Sequence, residues 1–141
     1  MNRPSPYLLC APLFAALLAS ACGSDSATPT TPTATAPAET TETFDGTVTI
    51  NGAATHPFAV QRPGTVTVRF AVIEPDSTAV LSLSLGTWNG AACQWVIAVD
   101  AATQGTTVTG TASTAGSFCA RILDVGKLTA PASYQIVVTH F

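Results

Sequence analysis

The chain is predicted to fold as an all-β domain, an antiparallel β-sandwich of jelly-roll type with about eight strands and one disulfide. Three observations carry that prediction. From Thr43 onward apolar and polar residues alternate with a period of two, and no stretch keeps apolar residues at helical spacing over successive turns. Residues suited to tight turns, Asn51-Gly52, Pro63-Gly64, Pro75-Asp76, Asn89-Gly90 and Gly116, sit between the alternating runs. Thr43 to Phe141 is long enough for one compact domain and too short for two.

The predicted strands are Phe44 to Ile50, His56 to Gln61, Thr65 to Ile73, Ala79 to Trp88, Cys93 to Asp100, Thr106 to Ala112, Ser117 to Val125 and Ser133 to His140. Alternation is clearest in three of them. Val66, Val68, Phe70 and Val72 alternate with Thr65, Thr67, Arg69 and Ala71. Leu81, Leu83 and Leu85 alternate with Ser82 and Ser84, and Tyr134, Ile136 and Val138 with Ser133, Gln135 and Thr139.

The hairpin after Trp88 allows a finer prediction, because a slip of one residue turns every side chain to the other face. A two-residue Asn89-Gly90 loop pairs Leu85 with Gln94 and mixes the faces. A three-residue loop, Asn89-Gly90-Ala91, pairs Leu85 with Trp95, Leu83 with Ile97 and Leu81 with Val99, and a type I turn with a glycine bulge makes it feasible. The longer loop is therefore expected, with Trp95 in the core and Cys93 on the inward face. Cys119 alternates with Phe118 and shares the face of Arg121. The disulfide then either sits at a strand end or needs a bulge near Gly116 to change the facing.

Ahead of the domain, Arg3 precedes an apolar stretch from Tyr7 to Leu18, followed by Ala19, Ser20 and Ala21. That is the order of a secretory signal peptide, residues 1–21. A permanent membrane helix is the poorer reading, since spanning takes about 20 apolar residues and Pro12 interrupts this shorter stretch. The run ending in Cys22 resembles the lipobox of bacterial lipoproteins, which implies lipidation of Cys22 and a membrane anchor in the cell envelope. Gly23, where an Asp would favour inner-membrane retention, implies the outer membrane. Ala19-Ser20-Ala21 also fits ordinary signal peptidase, which would leave Cys22 as a free N-terminal thiol.

Residues 22–42 are dominated by Ser, Thr, Ala and Pro and lack aromatic or large aliphatic side chains, so they are expected to form a disordered tether. Cys10 departs with the signal peptide and Cys22 takes lipid, leaving Cys93 and Cys119. An even remainder in an exported chain reads as one disulfide, with two buried free thiols as the alternative. Closing that loop would contribute about 3 to 4 kcal/mol in the chain-entropy model. The pair lacks the close spacing and neighbouring His of a metal site.

Phe58-Ala59-Val60, Pro63-Gly64-Thr65-Val66-Thr67-Val68, Cys119-Ala120-Arg121-Ile122 and Ala132-Ser133-Tyr134-Gln135-Ile136-Val137-Val138 together resemble the bacterial pre-peptidase C-terminal domain. The resemblance implies a jelly-roll-like sandwich appended to secreted or surface enzymes, or standing alone on the envelope. Leu81-Ser82-Leu83-Ser84-Leu85 stands where many members carry an acidic Asp-x-Asp strand.

Without its first 21 residues the chain keeps four scattered cations, Arg62, Arg69, Arg121 and Lys127, against eight acids. That balance speaks against nucleic acid as a partner. Neither a Gly-x-Ser-x-Gly elbow, a His-Glu-x-x-His pair nor a phosphate loop occurs, so no catalytic residue and no cofactor is predicted. His56 and His140 read as surface residues. Glu74, Asp76, Asp100 and Asp124 lie near predicted strand ends where oxygen ligands for Ca²⁺ converge in some folds, Glu74 and Asp76 being nearest to a ligand spacing. Turn chemistry and solubility explain these acids equally well. Trp88 and Asn89 at the hairpin tip are the candidate ligand contacts, an aromatic platform for a sugar or a peptide. The competing reading packs Trp88 onto Ala91 or Ala92.

The function expected from these features is noncatalytic: a lipid-anchored envelope sandwich with a binding, adhesion or structural role. The alternative is an accessory module of a secreted enzyme system. The expected partners are the membrane, through the Cys22 lipid, and an extracellular protein or polysaccharide.

Overall fold

A computed structural model describes residues 38–141. The predicted signal peptide, Cys22 and the predicted tether as far as residue 37 lie outside the described residues. Eight strands form in chain order: β1 (Thr40–Val48), β2 (Ala53–Val60), β3 (Gly64–Glu74), β4 (Leu81–Trp88), β5 (Cys93–Ala102), β6 (Thr107–Ala112), β7 (Gly116–Leu123) and β8 (Ala132–His140). They make two four-stranded antiparallel sheets, ordered β1-β8-β3-β6 and β2-β7-β4-β5. This is the jelly-roll order, in which every connection except the β4–β5 hairpin crosses from one sheet to the other. Among the described residues no helix is long and apolar enough to cross a membrane.

Two inward faces build the core. β8 turns Ala132, Tyr134, Ile136, Val138 and His140 inward as an unbroken row, and β6 adds Val108 and Ala112. From the other sheet come Phe58, Val60, Leu81, Leu83, Leu85, Ala120 and Ile122. Each large apolar side chain removed from water contributes about 1.5 to 3 kcal/mol, and this interdigitated layer holds the sheets together.

β1 begins at Thr40, ahead of the expected boundary at Thr43, and therefore takes in the end of the predicted tether. Its partner β8 runs to His140, so Thr40, Thr41 and Glu42 find ladder partners in His140, Thr139 and Val138. Composition favours disorder for these residues, and a waiting strand edge overrides it.

Two bulges correct the predicted facing. In β3 the register against β8 shifts between Phe70, opposite Ile136, and Val72, opposite Gln135. Ala71 is the extra residue, so Ile73 turns into the core, 1% exposed, where Val72 was expected. The second lies in the β4–β5 hairpin. Trp88 pairs with Cys93 and Gly86 with Trp95, whereas Leu85 pairs with Ile97 and Leu83 with Val99. Val96 is the extra residue. The loop is Asn89 to Ala92, one residue longer than predicted, and Leu85 faces Ile97 instead of Trp95.

Candidate functional site

On the outer face of the β2-β7-β4-β5 sheet, ladder partners place one row of side chains together. Thr55 lies opposite Arg121, Arg121 opposite Ser84, Cys119 opposite Gly86, Gly86 opposite Trp95, and Trp88 opposite Cys93. Opposed residues of a ladder share a face. Thr55, Trp88, Cys93, Trp95 and Arg121, with Ala91 and Ala92 of the loop, line a depression of about 470 Å³.

 The larger hollow, of 520 Å³, belongs to the outer face of the other sheet and is lined by Asp45, Glu74, Ser133 and Gln135 among others. There Gln135 Nε2 already donates to Asp45 Oδ1 at 2.9 Å, and no exposed aromatic ring is offered. The smaller hollow has the chemistry of a recognition surface: two indoles, a guanidinium and a hydroxyl.

Three devices position its side chains. Gly86 has no Cβ, and one built there would strike the Gln94 carbonyl and lie 2.5 Å from Trp95 Cα. The β5 backbone therefore leans over β4 where only glycine allows it. The Val96 bulge turns Trp95 to the outer face, leaving it 59% exposed. The Cys93–Cys119 disulfide, with Cα atoms 5.7 Å apart, then ties β5 to β7 across the intervening β4.

Several predictions change here. Trp95 is not in the core, and Cys93 faces outward with Cys119, not inward. Cys119 does share the face of Arg121, and the bond sits at the start of β5; the change of facing comes from the bulge in β5, and β7 keeps an unbroken register through Gly116. Trp88 is half-buried and lines the hollow together with Ala91 and Ala92. Asn89 is exposed, but its Oδ1 accepts from the amides of Ala91, at 2.9 Å, and Ala92, at 2.8 Å, so it shapes the loop. Trp95 was missed for want of the pairing, although a glycine at position 86 inside an alternating strand signals a bulge or a close backbone approach.

The histidines are not surface residues. His140 is 2% exposed, stacks on Phe58 with centroids 5.3 Å apart, and its Nε2 lies 2.8 Å from Glu42 Oε1. Its Nδ1 faces the Phe141 carbonyl at 3.3 Å. His56 is half-buried, stacked on Phe44 at 5.0 Å, and shares a 2.7 Å hydrogen bond with the Tyr134 hydroxyl. Burial pushes the His56 imidazole below its ordinary pKa, against an opposing pull from the Asp45 carboxylate, and burial pushes the Tyr134 phenol up. Imidazole is amphipathic enough to close the core at a strand end, which composition does not reveal.

The acids near strand ends have structural partners. Asp76 Oδ1 accepts from the hydroxyl and the amide of Thr78, and those bonds hold its carboxyl below the usual range. Asp100 Oδ1 accepts from the Ser82 hydroxyl at 2.9 Å. Asp124 accepts from the amides of Asn51, Lys127 and Leu128, and these bonds, Asn51 foremost, hold its carboxyl down. Glu74, the other half of the predicted calcium pair, ends β3 opposite Ser133. Among the described residues no three His, Cys, Asp or Glu side chains gather where a metal ion would be held.

The sequence matches no protein-family model and no curated protein.

Proposed function

We propose that this chain is a noncatalytic, exported sandwich, anchored in the envelope through lipid on Cys22, that binds an extracellular macromolecule through the hollow between Trp88, Trp95 and Arg121. The observation that carries the reading is Trp95, a large apolar side chain held 59% exposed by a bulge, a glycine and a disulfide. Rigid aromatic side chains give contact area at low entropic cost and anchor many recognition surfaces. A noncatalytic role is supported by the histidines, each of which serves packing and internal hydrogen bonds within the sandwich.

The test compares the wild type with a Trp88→Ala/Trp95→Ala double variant for retention on immobilised extracellular polysaccharides and secreted proteins. Loss of retention with a near-native thermal melt is expected. Equal retention of both forms would remove the hollow from the proposal.

A further inference from the structure

The ligand class can be narrowed, on the premise that the Trp88–Trp95 hollow is a binding site. Among the described residues no carboxylate pairs with Arg121, which reaches the hollow with its guanidinium. The other charged residue placed on this sheet face is Asp100, and Ser82 already donates to it. The face thus presents a single uncommitted cation beside two indoles and the Thr55 hydroxyl, although the chain as a whole is acidic.

An extended peptide would be expected to read a strand edge through backbone hydrogen bonds. β5 is such an edge, but its register against β4 shifts at Val96 and again between the pairs at Leu83 and Leu81. Bulges of this kind blunt an edge against strand addition. What remains is recognition by side chains alone: flat indole faces for an apolar ring surface, a guanidinium fork for a carboxylate, and a hydroxyl for hydroxyls. A pyranose ring bearing a carboxylate meets all three.

We propose that the hollow lined by Trp88, Trp95, Arg121 and Thr55 is a subsite for a uronic-acid unit of an acidic polysaccharide. The ring stacks on indole and the carboxylate pairs with Arg121.

The full mature protein is titrated, by calorimetry and indole fluorescence, with oligogalacturonate, alginate oligomers and hyaluronan oligomers. A neutral glucan oligomer supplies rings without charge, and poly-glutamate supplies carboxylates without rings. At least one uronate oligomer is expected to bind about tenfold more tightly than either control. Trp95→Ala should weaken that binding about tenfold, and Arg121→Gln should abolish the preference for uronate over glucan while the thermal melt of both variants stays near wild type. Equal affinity for the neutral glucan overturns the acidic class and leaves the hollow as a sugar site. Preference for poly-glutamate overturns the sugar class in favour of a polypeptide ligand. Binding to none of the uronates overturns the proposal, and the double-variant retention assay then decides separately whether the hollow binds anything else.

Discussion

Gly46 shows how much a single missing Cβ carries. It lies opposite Tyr134, and a Cβ there would strike the phenol hydroxyl and approach Cζ to 2.7 Å. Its absence lets the ring reach across from one sheet to His56 on the other. Gly46→Ala is expected to displace that ring and destabilise the domain by about 1 to 3 kcal/mol, the range for overpacked sites, measured by denaturant unfolding. The same contact predicts a pH dependence. The folded pKa of His56 lies below its unfolded value of about 6.5, so the unfolded chain binds the proton more readily. Stability from this group is complete above that value and declines as pH falls toward the folded pKa. His56→Gln should flatten that limb of a stability-versus-pH curve; an unchanged slope would refute the assignment.

At the scale of elements, strand existence was legible and facing was not. Alternation in Val66 to Phe70 and in Tyr134 to Val138 revealed strands that form with those residues inward. A bulge reverses parity without a one-residue signature of its own, so Val72, Trp95 and Cys93 were assigned to the wrong faces. Trp88 was found from its place at a tip, but its partner Trp95 depended on the register. The double replacement Cys93→Ser/Cys119→Ser is expected to cost about 2 to 4 kcal/mol in the chain-entropy model and to redden and quench the indole emission as the tip loosens. Gly86→Ala, which collides with backbone instead of a flexible side chain, should perturb the same emission with the disulfide intact.

For the molecule as a whole, the jelly-roll class followed from spacing and punctuation alone, since eight alternating runs of this length have few ways to bury one face each. The connection between loops had no such signal. Asp124 is 4% exposed and gathers amides from both the β1–β2 turn at Asn51 and its own loop at Lys127 and Leu128. Its folded pKa is depressed, so its contribution is present above the unfolded carboxylate value and is lost as pH falls through the folded one. Asp124→Asn should lower the melting temperature at neutral pH and make the acid limb of unfolding shallower. The anchor is tested on the mature protein extracted from membranes: intact mass should show lipid on Cys22, and an unmodified thiol there would remove the anchor from the proposal.

The pairing of Thr40 with His140 at the mouth of β1 also has a mechanical meaning. Any tension arriving along the preceding chain enters at Thr40, on a strand whose one ladder neighbour among the described residues is β8. Drawn along its own axis, β1 cannot peel away bond by bond; its ladder from Thr40 to Val48 is loaded in shear and must yield together. A domain hung in this way would keep its grip on a bound polymer under drag until the whole ladder failed at once.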